Sequence, residues 1–231
     1  MNTAQFKGSL QYKHYVTDDV LELHFEKPSN FDYQAGQYIE FLIPKDGDTA
    51  IRPFSLASAP IDTKYVKFCC KIVPGGLAST YFNQMSLGSF ALWRGPFGSF
   101  TYQDGIPPLV LIATGTGLAP IYSLLHHALE KMQTGRPVKL IFGVRSEANI
   151  FWADRLHDLA QRYQNFSYII VLSNPSALWN GPKGYVADHI GGTDNISDFY
   201  LSGSDEMAQS TYSFLCDRGV SPSTIHREIY I

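Results

Sequence analysis

The run Leu109-Val110-Leu111-Ile112-Ala113 is apolar at every position, and Thr114-Gly115-Thr116-Gly117-Leu118-Ala119-Pro120 follows it directly. A strand without polar alternation is buried on both faces, which calls for helices above and below it and hence a parallel sheet. Helical spacing follows at Ile121, Leu124, Leu125, Ala128, Leu129 and Met132, and Gly135 and Pro137 stop it. Residues 138–142 read as another apolar strand, 151–163 as a helix, 168–172 as a strand, 199–201 as a shorter strand and 207–215 as a helix. Strands alternating with helices imply βαβ units. Open parallel sheets bind ligands at the carboxyl ends of their strands. The loops after Ala113, Phe142, Leu172 and Leu201 are therefore the places to search.

The preceding half reads differently. Residues 20–25 alternate apolar and polar as a half-buried strand does, and 38–43 and 65–72 are further strand candidates. Turn signals stand at Lys27-Pro28-Ser29-Asn30, Lys45-Asp46-Gly47-Asp48, Pro74-Gly75-Gly76 and Arg94-Gly95-Pro96. Short strands at this spacing predict an antiparallel barrel or sandwich, with one short helix over 78–85. Asp104-Gly105-Ile106-Pro107-Pro108 reads as a linker. The expected fold class is thus β followed by α/β, an antiparallel N-terminal domain (1–103) and a doubly wound parallel-sheet domain (107–231).

Composition narrows the function. Of 231 residues, 45% are hydrophobic and 17% charged, enough apolar material for a sizeable core. A net charge of −3 speaks against nucleic acid as a partner, because counterion release needs a basic face. No apolar stretch reaches the roughly 18 residues that span a bilayer. The N-terminus carries no apolar signal-peptide core, so a cytoplasmic protein with no membrane association is expected. The cysteines are Cys69, Cys70 and Cys216, too few for a four-cysteine iron–sulfur cluster and without a CxxC pair. The seven histidines form no metal-ligand pattern, and no Gly-x-Ser-x-Gly elbow is present.

Several segments have two readings each. Gly115-Thr116-Gly117 opens a helix after a buried strand, which suits a pyrophosphate or is simply a tight turn. Arg52-Pro53-Phe54-Ser55 offers a guanidinium fork, a flat ring and a hydroxyl, or a surface arginine beside a core aromatic. Pro74-Gly75-Gly76-Leu77-Ala78-Ser79 is a second anion site or an ordinary capped turn. Arg145, after the second parallel strand, faces a ribose or phosphate, or solvent. In Ser202-Gly203-Ser204-Asp205, Ser204 or Asp205 is a helix cap or part of a site.

The order of these segments is more specific than any one of them. Arg52-Pro53-Phe54-Ser55, then Gly75-Gly76-Leu77-Ala78-Ser79, then Gly95-Pro96-Phe97-Gly98, then Gly115-Thr116-Gly117-Leu118-Ala119-Pro120, then Ser202-Gly203 through Met207, resembles the ferredoxin–NADP reductase superfamily. Ala35-Gly36-Gln37-Tyr38 matches the approach to its flavin motif. The likeness runs from about Gly36 onward and is nearest to bacterial NAD(P)H–flavin reductases and oxygenase reductase modules.

The resemblance implies a six-stranded antiparallel barrel that binds FAD and a C-terminal domain that binds a nicotinamide dinucleotide. It places Arg52 on the flavin phosphate, Phe54 on the isoalloxazine where the family has tyrosine, and Ser55 near flavin N5. Cys70, Lys71, Ile72 and Val73 would line the flavin through the backbone. Gly76, Leu77, Ala78 and Ser79 would hold the pyrophosphate. Gly115, Thr116 and Gly117 would hold the nicotinamide cofactor, with Arg145, Gly203 and Met207 beside it. Ser202 stands where the family has a cysteine facing the nicotinamide. Glu228-Ile229-Tyr230 resembles a C-terminal Glu-x-Tyr whose aromatic covers the flavin, with Ile231 following it here.

The implied activity is hydride transfer from NAD(P)H to bound FAD, with Ser55, Ser202 and Glu228 as the catalytic set. Electrons would leave to a separate ferredoxin or oxygenase component. The alternatives are a reductase supplying free reduced flavin and a non-catalytic flavin- or nucleotide-binding regulatory module. Plant-type relatives hold the NADPH phosphate with a Ser-Arg pair after the third parallel strand. Here that place reads Ser173-Asn174, which favours NADH.

Overall fold

The computed structural model describes residues 4–191 and 196–230. Strands β1 (Gln5–Thr17), β2 (Val20–Glu26), β3 (Tyr38–Lys45), β4 (Asp48–Ser55), β5 (Tyr65–Lys71) and β6 (Phe90–Phe97) form a six-stranded antiparallel sheet in the order β4-β3-β6-β1-β2-β5. The alternation in β2 sorts its side chains. Leu21, Leu23 and Phe25 turn into a core with Phe41, Phe68 and Trp93, while Val20 joins the core on the other side. The sheet curls into a barrel around these rings, which meet edge-on at 5.0 Å for Phe41–Phe68 and 6.1 Å for Phe25–Trp93. Each such side chain contributes about 1.5–3 kcal/mol on burial. Helix α1 (Leu77–Gln84) sends Phe82 into the same core.

One expected turn is not a turn. Arg94-Gly95-Pro96 lies inside β6, and the register against β3 passes from Tyr38↔Phe97 to Glu40↔Arg94. The strand takes one extra residue there, a bulge, which is where a sheet tolerates glycine and proline.

Strands β7 (Leu109–Thr114), β8 (Val138–Val144), β9 (Phe166–Leu172), β10 (Asp198–Ser204) and β11 (Ile225–Tyr230) form a parallel sheet in the order β11-β10-β7-β8-β9. Helices α2 (Leu118–His126), extended by a π-helical turn at His127–Lys131, and α3 (Ala153–Arg162) share one core with Leu109 and Leu111. Helix α4 (Asp205–Asp217) packs on the other face, where Met207 and Leu215 meet Val110 and Ile112. The sheet is therefore doubly wound. Its direction of progression reverses between β7 and β10, the switch point at which such sheets bind ligands.

The two sheets share apolar surface. Val20, Ala57, Cys69 and Phe100 from the barrel side belong to the core that contains Leu118, Ile121 and Leu124 of the nucleotide side. Ser123 Oγ donates 2.7 Å to the Ser58 carbonyl across this seam. Arg136, 5% exposed, pairs with Asp198 at 3.0 Å and donates to the Gln103 and Pro107 carbonyls, fixing the connecting segment. Among the described residues, no helix is long and apolar enough to cross a membrane.

Candidate active site

The site begins at the end of β7. Gly115–Gly117 form one 3-10 turn that leads straight into α2. Gly115 has φ +52°, open to glycine at little cost. Gly117 answers a different need: a β-carbon there would stand 2.3 Å from the Ser202 carbonyl oxygen. The turn is thus pressed against the end of β10, and only glycine fits between them.

A cleft of about 1260 Å³ opens at the carboxyl ends of the parallel strands. Thr114, Gly115, Thr116, Arg145, Ser173 and Met207 line it from the nucleotide side, and Asp19, Val20 and Lys71 from the barrel. A smaller cleft of about 220 Å³ is lined by Pro53, Phe54 and Ser55 of β4, Cys69 and Lys71 of β5, and Thr116 and Ala119. Lys71 and Thr116 stand in both walls, so the barrel cleft and the sheet cleft adjoin.

Two of the expected residues meet at this junction, and a third, Ser202, is paired with one of them on the neighbouring strand. Ser55 ends β4, is 6% exposed, and donates 2.8 Å to Glu228 Oε2. Glu228 pairs in register with Ser202 on the neighbouring strand. Ser202 lines neither cleft: it is fully buried, and its Oγ makes no hydrogen bond among the described residues. An orphaned buried hydroxyl costs about 1–3 kcal/mol. Tyr230 ends β11 opposite Ser204; its side chain, and with it the covering role expected of it, lies outside the described residues.

The other barrel residues are placed as follows. Arg52 is exposed, with Nη1 donating 2.8 Å to the Ile51 carbonyl. Phe54 is half-buried, set edge-on to Phe41 and Phe82 at 5.6 and 5.4 Å. Lys71 forms an ion pair with Asp19 at the rim. Cys70 points into the barrel core, where burial pushes its thiol up to about 12. The Ile72 N–H goes to the Asp19 carbonyl at 2.7 Å and the Val73 N–H to Ser79 Oγ at 2.8 Å, so these amides are already taken. The Ser79 hydroxyl thus closes its own loop. Gly76 caps α1 with no side-chain hydrogen bond, leaving the amides of the first turn without a side-chain acceptor, as anion-binding helix ends do.

On the sheet side, Ser204 caps α4 by accepting from the Met207 N–H at 3.3 Å. Arg145 is exposed at the cleft. Glu147, close to it in sequence, is turned to Ser176, whose Oγ donates to it at 2.6 Å. Asp19, Ser146 and Tyr185 also line the cleft. No sequence pattern singles them out, since each sits in a loop whose pattern is that of any polar turn.

These features suit a flavin dinucleotide on the barrel and a nicotinamide dinucleotide on the sheet. The donors offered are the uncapped end of α1, the exposed Arg52 fork and the pressed Gly115–Gly117 turn. A half-buried ring, Phe54, completes the set.

Comparison with known proteins agrees. Residues 7–102 match the oxidoreductase FAD-binding domain and residues 111–213 the oxidoreductase NAD-binding domain. The chain is 31% identical over 229 residues to the ferredoxin–NAD(P)(+) reductase component of the naphthalene 1,2-dioxygenase/salicylate 5-hydroxylase systems of Ralstonia sp, covering 97% of this chain and 68% of that protein. It is 33% identical over 212 residues to the reductase component of propane 2-monooxygenase from Mycolicibacterium goodii, covering 86% of this chain and 60% of that protein. The chain thus spans about 60% to two thirds of the length of these relatives. Among solved structures, the cytochrome P450 reductase GcoB of Amycolatopsis superposes with a TM-score of 0.87 at 27% identity, over 99% of this chain and 71% of that one. The ferredoxin NADP+ reductase of Neisseria gonorrhoeae, solved with bound FAD and NADP, shares the fold at 21% identity, with a TM-score of 0.87 over 99% of both chains. With two matched domains that together span most of the sequence, and with the clefts of the two sheets adjoining, the chain belongs to the ferredoxin–NADP reductase superfamily of FAD- and NAD-binding oxidoreductases.

Proposed function

We propose that this chain takes a hydride from NADH onto bound FAD and passes electrons to a separate ferredoxin or oxygenase component. Residues 1–103 would hold the flavin and 107–231 the nicotinamide dinucleotide. The carrying observation is the junction itself: Lys71 and Thr116 stand in both clefts, and Ser55 bonds Glu228 beside it. Bound FAD supplies the redox chemistry, accepting two electrons as hydride and releasing them onward.

The protein's part is position and electrostatics. Arg52 and the first turn of α1 hold the flavin phosphates, and Phe54 offers the face on which the ring lies. The Gly115–Gly117 turn would hold the dinucleotide phosphates at the cleft that adjoins the barrel site. Ser55 Oγ donates to Glu228 Oε2, and this carboxylate is the acid–base group at the junction. Ser202, paired in register with Glu228 and fully buried, would support the strand end that faces the nicotinamide rather than touch it.

NADH is favoured because Ser173-Asn174 carries no arginine for a 2′-phosphate. A separate acceptor is supported by the relatives named above, which are reductase components of oxygenase systems. Three unpaired cysteines accord with a reducing, cytoplasmic setting.

The test is to purify the chain, identify its flavin, and mix it anaerobically with NADH or NADPH. Retained FAD that bleaches within seconds, faster with NADH, is expected. Retained flavin that stays oxidised would leave only a binding module. Protein that holds no FAD yet releases reduced flavin would be a free-flavin reductase instead.

A further inference from the structure

Behind the cleft wall lies a buried ionic joint between the two halves. Glu22 of β2 has no exposed surface. Its two oxygens accept from Arg155 of α3, at 2.9 Å from Nη1 and 2.8 Å from Nη2. Trp152 Nε1 donates 2.9 Å to the same carboxylate, and His24 Nε2 lies 2.6 Å from it. The Arg155 guanidinium sits over the Trp152 ring at 4.8 Å, and that ring packs on Tyr122 of α2 at 4.8 Å. Burial pushes the Glu22 carboxyl up, but the hydrogen bonds from His24, Arg155 and Trp152 outweigh it and hold it at about 2.

This joint is not the cheapest way to hold two domains together. Val20, Ala57, Cys69 and Phe100 already share an apolar core with α2. A buried ion pair adds little stability over well-packed apolar groups. What it does supply is one geometry, since a guanidinium fork meets a carboxylate in a single plane. Trp152, the residue before α3, has φ +57° and ψ +17°, a left-handed conformation that a bulky side chain rarely adopts.

The joint is placed where geometry matters. Val20 precedes Glu22 by one side-chain repeat on the same face of β2, and Phe151 precedes Trp152 directly. Val20 and Phe151 both line the nucleotide cleft, one from the barrel and one from the sheet domain. The ionic contact is therefore tied, within two residues on each side, to a cleft-lining residue of each domain.

We propose that Glu22, Trp152 and Arg155 are positioning residues, a clamp that sets the width of the cleft and so the approach of nicotinamide to flavin. The proposal rests on the reductase reading. The experiment uses the purified, flavin-loaded chain and the variants Arg155→Lys, Trp152→Phe and Glu22→Gln. Arg155 is 38% exposed on its side chain, so its exchange for lysine keeps the charge and spares the core. Stopped-flow reduction against NADH concentration separates the limiting rate from nucleotide affinity. Amide exchange over 18–24 and 150–156 reports the joint without any turnover.

Arg155→Lys and Glu22→Gln should keep their FAD. Their limiting reduction rate should fall about tenfold or more, as small misplacements of reacting groups do. The long-wavelength absorbance of stacked nicotinamide and flavin should weaken, and both segments should exchange faster. Unchanged rate, absorbance and exchange in folded variants would overturn the clamp. So would unfolding of all three variants, Arg155→Lys included, which would make the joint a folding element. Failure of the wild-type chain itself to be reduced would refute the reductase reading instead, and the exchange data would still decide whether the joint orders the two walls.

Discussion

Ser55 Oγ and Glu228 Oε2 lie 2.8 Å apart across 173 residues of chain. One ends a barrel strand and the other lies on the edge strand of the parallel sheet. This bond closes the two domains over the junction of their clefts. Glu228→Gln keeps the shape and an acceptor oxygen but removes the carboxylate as an acid–base group. The limiting rate of flavin reduction should fall roughly 10- to 100-fold, within the range of general acid–base contributions. FAD content should not change. Rapid-mixing absorbance checks both, and an unaltered rate would restrict Glu228 to a structural tie.

Arg52 is the exposed cation of the flavin side, its Nη1 resting on the Ile51 carbonyl. A phosphate would replace that neutral contact with a charge-assisted one. Losing it should cost about 1.5–3 kcal/mol, or 10- to 100-fold in FAD affinity. Arg52→Ala is therefore expected to purify with depleted FAD and to regain flavin when FAD is added. Full occupancy after extensive dialysis would remove Arg52 from the phosphate site.

Much of this architecture is legible in local pattern, and the exceptions have physical causes. The Leu109–Ala113 run announces a parallel sheet because burial on both faces erases polar alternation. Strand β11 stays hidden: as an edge strand it carries Arg227 and Glu228 beside its apolar residues. Gly95-Pro96 looks like a turn because a bulge uses the same residues. Ser55 and Glu228 were legible as members of motifs, but their contact was not, since pairing over such a distance follows only from domain docking. Glu22 is the extreme case. On an alternating strand it reads as an outward polar position, and its burial depends on Arg155, 133 residues away.

Arg145 bears on the choice of nucleotide. It is exposed at the cleft, while the Glu147 carboxylate is bonded to Ser176. A lone arginine offers some support to a 2′-phosphate and none that NADH requires. The expected catalytic efficiency is higher with NADH. Arg145→Ala should lower efficiency with NADPH several-fold and leave that with NADH nearly unchanged, widening the ratio. Steady-state kinetics with both nucleotides is the measurement, and an equal loss with both would place Arg145 on a shared part of the dinucleotide.

Glu22 makes a prediction about stability against pH. Its folded-state pKa of about 2 lies below the ordinary value of 4.5. A carboxyl depressed by folding stabilises the native state above its unfolded pKa, and that contribution disappears as pH falls through the folded one. The difference corresponds to something on the order of 3 kcal/mol. Glu22→Gln resembles the protonated form at every pH. The wild type should therefore exceed the variant in unfolding free energy by its full margin at neutral pH. The gap should close between about pH 5 and pH 2. Other carboxylates lowered by their partners, Asp19, Asp62 and Glu130 among them, titrate in both proteins and cancel in the comparison. Denaturant unfolding of both proteins across this range measures the gap. A margin that stays constant down to pH 3 would mean that Glu22 is not held as an anion by Arg155, Trp152 and His24.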